Sequence, residues 1–213
     1  MATRRFLLIS LFVLPFVVAA AGIAPARANT QSPQDAGAFL VALGERAVHE
    51  LGDQSLDESE RERRFRRLFK ESIDIETIGR FVLGKHWRRA TPEERQDFLQ
   101  VFEDATVQRF LPLFADYSGE TFIISSQRRD ANNPNHIFVT SKIALTSGDA
   151  YSVEWRVREL ESGYRILDII AEGVSMAITL RQEYSAVVSH SGIRGLVELL
   201  RAKVASGAFA PTN

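Results

Sequence analysis

Asp168 is the residue in this sequence that is best placed for acid–base chemistry. It follows Leu167 in an apolar run that we interpret as a mostly buried strand. A carboxylate that faces an apolar cavity has a raised pKa and can act as a general base. With Tyr164 or Tyr151 as the acid, such a site would give a small enzyme that acts on an apolar substrate.

A structural role for Asp168 is the interpretation that we favour. The carboxylate would then lie on the polar face of the strand, paired with Arg156 or Arg165. Glu172 stands just before Gly173, and we expect it to cap the helix that follows. We therefore expect the carboxylates of Asp168 and Glu172 to have structural roles rather than to take part in catalysis.

Motifs for other chemistry are missing from the sequence. It contains no glycine-rich phosphate loop, no HExxH pair and no GxSxG turn. The absence of cysteine excludes disulfides, thiol catalysis and cysteine-based metal sites. The histidines lie in separate predicted elements without the spacing of metal ligands, so we expect no metal site and no enzymatic cofactor. They are His49, His86, His136 and His190.

The N-terminus has the pattern of a cleaved export signal. A pair of arginines precedes an almost purely apolar run over residues 6–21, and Ala-Arg-Ala at 26–28 matches the small-x-small cleavage pattern. An uncleaved membrane anchor is the alternative, but the run is short and Pro15 interrupts it. We therefore predict a signal peptide over residues 1–28 and an exported protein, and the lack of cysteine favours a bacterial periplasm.

The remaining chain has the size and composition of a single domain. The whole chain of 213 residues is 45% hydrophobic, which is enough for one sizeable core, or for one core with a small annexe. We predict a disordered leader over residues 29–34, one domain over 35–207 and a disordered tail over 208–213. The whole chain carries 26 basic and 27 acidic residues, and loss of three signal-peptide arginines leaves a net charge of about −4. This balance gives no reason to expect nucleic acid as a partner.

Hydrophobic spacing and capping residues predict six helices. The clearest start is Thr91-Pro92-Glu93-Glu94, which combines a capping threonine, a first-turn proline and a glutamate that completes a capping box. Pro112 should kink or end that helix near residues 108–111. The others are expected over 35–51, over 55–72 with Ser55 and Glu58 as a capping box, from Asp74 to Gly84, over 175–190 and over 193–206.

The second helix is strongly charged over residues 60–70. Its RERRFRR run is compatible with a patch for nucleic acid or anionic lipid, but the interspersed glutamates favour an ordinary solvated helix face. A non-catalytic adaptor that docks this helix on a membrane complex is a further alternative.

Four strand-like runs lie between the fourth helix and the last two, at 120–128, 136–146, 150–160 and 164–171. Their short, turn-rich connections indicate an antiparallel meander. The element order predicts an α+β fold with helices packed on one side of a curved, four-stranded antiparallel sheet. After Gly173 the hydrophobic period changes from 2 to 3.6, so a strand should feed a helix directly and enclose an apolar pocket at this corner.

Two segments resemble the MlaC family, also called toluene-tolerance auxiliary proteins. The specific blocks are L-G-K-x-W-R-x-A-T-P-E-x-R over residues 83–95 and D-I-I-A-E-G-V-S-M over 168–176. The helix continuing through Arg181 to Tyr184 and the glycines near 192–195 also fit. Thr179-Leu180-Arg181 departs from the Asn-x-x-Arg type of run that the family often has at this point.

The resemblance implies a periplasmic phospholipid carrier with an NTF2-like sheet, a small helical annexe and an apolar cavity for the acyl chains. Its partners would be an outer-membrane lipoprotein–porin complex and an inner-membrane ABC transporter with an MCE-domain ring. We expect a monomer that is not an enzyme, with bound phospholipid as cargo. A related branch associated with hopanoid synthesis leaves a hopanoid as alternative cargo.

Apolar residues on converging elements are our candidates for contact with the acyl chains, and ordinary core packing is the alternative for each. They are Phe81, Leu83, Trp87, Phe110, Phe114, Val139, Trp155, Val157, Ile169, Val174, Met176 and Ile178.

Overall fold

A computed structural model describes residues 35–53, 55–112, 121–144 and 150–209. The predicted signal peptide, the leader and Phe114 lie outside these ranges. Five helices are described: α1 (Ala36–Leu51), α2 (Glu58–Ser72), α3 (Ile75–Leu83), α4 (Pro92–Phe110) and α5 (Met176–Ala205), with a short 3-10 helix at Gly84–His86. Five strands are described: β1 (Thr121–Asp130), β2 (Asn133–Ala144), β3 (Ala150–Leu160), β4 (Gly163–Ala171) and β5 (Val174–Ser175).

The helix starts follow from local capping chemistry. Asp74 caps α3 by accepting a hydrogen bond from the backbone N–H of Thr77, and Thr91 with Glu94 forms the predicted capping box of α4. The prediction for α2 was wrong, because its cap is the Asp57 side chain rather than Ser55. Ser55 instead donates a hydrogen bond to Asp53 in the preceding turn.

The strands form one antiparallel sheet in the order β1-β2-β3-β4-β5. The predicted meander is therefore confirmed, but the sheet has five strands and not four. The fifth strand exists because Glu172 and Gly173 both have positive φ angles, 49° and 79°, which makes a tight two-residue turn. The chain pairs Val174 with Ala171 before it enters α5. A strand of two residues shows no hydrophobic period, so it left no signal in the sequence.

Helix α5 contains the break that the sequence predicts. Gly192 has φ 71° and ψ 178°, which is not helical, and it divides α5 into the two predicted segments. Glycine tolerates this conformation because it has no Cβ. The helix therefore bends at Gly192.

The apolar residues of the described chain form three clusters. The sheet cluster joins α1 to one face of the sheet, the α1–α2 cluster joins those helices to α4, and the α5 cluster joins α3, α4 and α5. The sheet cluster has Ala36, Leu40, Ile137, Val139, Val157, Tyr164 and Ile166 as its buried members. The α1–α2 cluster has Ala47, Leu51, Phe65, Leu68, Phe69 and Val107. The α5 cluster is the largest and includes Leu83, Trp87, Phe98, Phe102, Leu180, Tyr184 and Leu196.

Charged side chains of α2 form ion pairs within the helix and with neighbouring helices. Arg66 pairs with Glu62 on its own helix and with Asp104 on α4, both at 2.7 Å. Arg67 reaches Glu50 on α1 at 2.6 Å, and Lys70 reaches Glu103 at 3.2 Å. These contacts support the interpretation of a solvated face that also joins neighbouring helices.

Removal of the α4 capping box should lower stability without changing the fold. Thr91→Ala leaves the backbone N–H of Glu94 without its partner, so we expect the free energy of unfolding to fall by about 1 kcal/mol. Urea denaturation followed by circular dichroism measures this difference. Thr91→Ser keeps the hydroxyl and should unfold like the unchanged protein; an equal loss in both variants would contradict the capping role.

Candidate functional site

Asp168 holds the junction between the sheet and α5. One carboxylate oxygen accepts hydrogen bonds from the backbone N–H groups of Ile169 (2.9 Å) and Ala177 (3.0 Å). The other accepts one from the Ser175 hydroxyl at 2.5 Å. The Ser175 oxygen in turn accepts from the backbone N–H of Ile178 and so caps the helix. The carboxylate thus accepts hydrogen bonds from three donors, one each on β4, on β5 and at the start of α5.

The residues expected around Asp168 have other partners. Arg156 lies 3.4 Å from the carboxylate of Asp130, and Arg165 donates to the backbone carbonyl of Glu71. Glu172 does not cap α5; its side chain accepts from the backbone N–H of Ser152 at 3.3 Å. The predicted pairing of Asp168 with an arginine and the predicted cap were therefore wrong.

The acid–base arrangement considered for an enzyme is not assembled in this structure. The Tyr164 hydroxyl lies 3.4 Å from Glu159, and its ring packs on Phe39 of α1 in the sheet cluster. Burial and Glu159 raise the pKa of Tyr164 above its ordinary value. Tyr151 is half exposed at the start of β3. Asp168, by contrast, faces α5, so these groups do not converge on one substrate position.

The sheet candidates lie in two environments. Val139 and Val157 are fully buried beneath α1 and belong to solid core. Trp155 and Ile169 are cross-strand neighbours that are only partly buried. The indole N–H of Trp155 donates to the buried Ser141 hydroxyl at 2.9 Å, so its ring orientation is fixed.

Partly buried hydrophobic residues connect the sheet cluster with the α1–α2 cluster. Leu43 and Ile73 pack against both clusters, and Phe110 packs against the second from the end of α4. Four others, Phe122, Ile124, Trp155 and Ile169, pack against the sheet cluster alone. Partly exposed apolar surface of this kind is what an apolar ligand would contact. We call this set the apolar seam; it comprises Leu43, Ile73, Phe110, Phe122, Ile124, Trp155 and Ile169.

The helical candidates are divided among three places. Leu83 and Trp87 are buried in the α5 cluster. Phe81 and Ile178 are 39% and 50% exposed and line an open groove of about 640 Å³, together with Arg181. Val174 is 61% exposed on β5. These placements do not gather the candidates around one cavity.

A small cavity of about 20 Å³ lies between α4, α5 and the end of the described chain. Two of the candidates, Phe110 and Met176, line it. The other lining residues were not among the predicted candidates, and they include Leu180, Tyr184 and Phe209. Met176, Leu180 and Tyr184 follow one another at four-residue intervals, which was the available signal, whereas an isolated Phe209 gave none.

Neither the groove nor the small cavity lies between the sheet and the helices, where we predicted an apolar cavity. The structure therefore does not confirm that cavity. Among the described residues no cluster of three or more histidine or acidic side chains is arranged to bind a metal ion. In the same part of the chain, none of the helices combines the length and apolar composition needed to span a bilayer.

The chain resembles known proteins along most of its length. A family model described as MlaC protein matches residues 43–202. The intermembrane phospholipid transport system binding protein MlaC of Haemophilus influenzae is 23% identical over 128 residues, 59% of this chain and 59% of that protein. The toluene tolerance protein ttg2D of Pseudomonas putida is 20% identical over 127 residues, 59% of this chain and 58% of that protein. The chain thus spans about three fifths of the length of the curated relatives that it matches.

A solved structure has the same fold. The phospholipid-binding protein from Ralstonia solanacearum, determined in complex with a phospholipid, matches with a TM-score of 0.71 and 21% identity. The match covers 82% of this chain and 99% of that chain. At this level of identity the likeness establishes the fold alone.

Ionisation of Tyr184 should make the protein less stable at alkaline pH. Its ring is buried against Phe98 and Phe102, and burial raises the pKa of its hydroxyl to about 12. The folded state therefore favours the neutral phenol. The stabilisation of the folded state that results is complete below pH 10 and is lost as the pH rises towards 12. Over this interval the free energy of unfolding should fall by about 2–3 kcal/mol more than in Tyr184→Phe.

Urea unfolding of both proteins across this pH range tests the prediction. Tyr151→Phe serves as the control for the loss of a tyrosine hydroxyl, because Tyr151 is half exposed whereas Tyr184 is buried. Identical pH profiles for the unchanged protein and Tyr184→Phe would show that the Tyr184 hydroxyl is not shielded.

Proposed function

The chain belongs to the MlaC protein family, and from this we propose that it is a periplasmic carrier that binds phospholipid and shuttles it between membrane complexes. The match of the family model over residues 43–202 is the observation that carries the proposal. Support comes from the printed descriptions of the relatives, one an intermembrane phospholipid transport system binding protein and one a phospholipid-binding protein of the same fold.

The apolar seam is where we place the acyl chains. Burial of hydrocarbon contributes roughly 0.8 kcal/mol per CH₂, so one sixteen-carbon chain contributes on the order of 10 kcal/mol before the costs of binding. This energy needs only a dry apolar surface and no directed hydrogen bonds. Trp155 and Ile169 would supply the sheet wall and Phe110 the helical wall. An NTF2-like cavity between the sheet and the helices is part of this proposal.

The head group can remain in water at the edge of such a site. A carrier of this kind needs no nucleophile, acid or metal, which agrees with a structural role for Asp168. The export signal predicted over residues 1–28 would deliver the protein to the periplasm. There we propose that it exchanges lipid with an outer-membrane lipoprotein–porin complex and an inner-membrane MCE-domain ABC transporter.

Protein purified from the periplasm without detergent should contain phospholipid. Native mass spectrometry gives the mass of the complex, and extraction followed by lipid analysis identifies the cargo. Recovery of a hopanoid would support the related branch of carriers instead. Lipid-free protein that takes up nothing from phospholipid vesicles would overturn the proposal.

A charge in the apolar seam should remove the bound lipid. In Phe110→Asp an acyl chain would have to contact a carboxylate in an apolar site, which costs several kcal/mol, so we expect bound lipid to fall at least about tenfold. Lipid per protein is measured after the same purification. Leu199→Asp, at an exposed position of α5 outside the seam, is the matched control and should keep its lipid. Equal lipid content in the two folded variants would exclude Phe110 as a wall of the site.

Asp168→Asn distinguishes the proposed carrier from the alternative hypothesis of an enzyme that uses Asp168. Asparagine has a single acceptor oxygen for the three donors at the junction, so we expect a loss of about 1–3 kcal/mol in the free energy of unfolding. Lipid content and transfer between vesicles should stay close to those of the unchanged protein. Loss of the turnover of an apolar substrate in Asp168→Asn would favour the enzyme.

A further inference from the structure

The end of the described chain folds back onto the helices. After α5 ends, Gly207 adopts φ 71°, and its backbone N–H donates to the carbonyl of Val204 at 3.1 Å. The N–H of Ala208 donates to the carbonyl of Lys203 at 3.0 Å. This pair of hydrogen bonds is the glycine-dependent helix ending that reverses the chain. Phe209, beyond the expected domain end at residue 207, is thereby directed against α4 and α5.

Phe209 occupies apolar space between these helices. Its ring lines the small cavity with Phe110 and Met176, and it packs against the α5 cluster. The remaining volume of about 20 Å³ is close to that of one water-sized sphere. The other walls are mostly apolar, so removal of the ring would leave a pocket that favours hydrocarbon over water. Those walls are Phe102, Ala105, Thr106, Arg109, Leu180 and Tyr184.

The contacts that hold the Phe209 ring are weak enough for the ring to be displaced. Arg109 lies 5.4 Å and Lys203 5.7 Å from the ring centroid, which are weak cation–π approaches at a partly exposed position. The Gln108 side chain donates to the carbonyl of Val204 and fixes the helix end rather than the ring. A phenyl ring makes no directed hydrogen bond that an acyl chain would have to replace. The ring is held in this pocket by shape and burial.

We propose that Phe209 is a displaceable plug in a subsite for an acyl chain, and that it limits how much hydrocarbon the protein holds. This inference rests on the proposed function, because it takes phospholipid to be the ligand. Phe110 belongs both to the apolar seam and to this cavity, so a chain in the seam that displaces Phe209 would gain a continuous path towards Leu180.

Phe209→Ala tests the plug through the lipid that the protein selects. Both proteins are loaded from vesicles of phosphatidylethanolamine and phosphatidylglycerol with mixed acyl-chain lengths, and native mass spectrometry gives the mass and number of bound lipids. Phe209→Ala should hold the longer chains, or additional chains, at least about threefold more often than the unchanged protein. Phe209→Trp restores a large ring and should return the profile to that of the unchanged protein or to shorter chains.

A label near the ring reports its displacement directly. The chain has no cysteine, so Ala208→Cys carries a single environment-sensitive dye beside Phe209. Addition of the same vesicles should shift the dye emission as the segment leaves the helices, and Leu199→Cys is the control that should not respond.

The outcomes separate this inference from the proposed function. If the unchanged protein takes up lipid but Phe209→Ala has the same lipid profile and the Ala208 label does not respond, the plug is overturned and the carrier stands. If neither protein takes up lipid, the proposed function is overturned and the plug with it.

Discussion

The hydrogen bonds to Asp168 fix the sheet to the helical half of the protein. Strand β4 leads through a tight turn and a two-residue strand into α5, and the Asp168 carboxylate binds donors on both sides of that turn. Besides this clamp, the start of α5 is positioned by the pairing of the two-residue strand β5 with β4. Its position matters because α5 packs against α3 and α4 to form the largest apolar cluster. One carboxylate therefore links the last strands of the sheet to the start of α5.

Among the described residues, burial is complete at the centres of the clusters and incomplete at their edges. Val139 and Phe98 are wholly excluded from solvent, whereas Phe110, Trp155 and Ile169 are partly exposed although they are large and apolar. A domain selected only for stability would gain free energy by closing such gaps. A carrier has to keep apolar surface accessible to its cargo, which explains why the seam is the part most relevant to the proposed function.

Many charged side chains of the helices form ion pairs that join neighbouring elements. Four arginines of α2 (Arg63, Arg64, Arg66 and Arg67) pair with carboxylates on α1, α2 and α4. Arg158 on β3 pairs with Asp74 at the cap of α3. Arg128 lies over the ring of Phe138 on the face of the sheet that carries Glu154 and Arg156. Such pairs orient neighbouring elements, whereas Arg61 in the same run donates to the backbone carbonyl of Asp53.

The sequence by itself determined the helix starts at Asp74 and Thr91, the break at Gly192, the antiparallel meander and the family. Each of these is set by residues close together in the chain or by motifs with their own spacing. The tertiary structure decided what depends on distant contacts: the fifth strand, the partners of Asp168, and which apolar residues are core and which remain half exposed. Val157 and Trp155 are two residues apart in β3, so they lie on the same face of the sheet. Only the position of α1 over that face makes Val157 part of the solid core and leaves Trp155 at the apolar seam. Hydrophobic spacing shows which face of an element is apolar, but not what covers it.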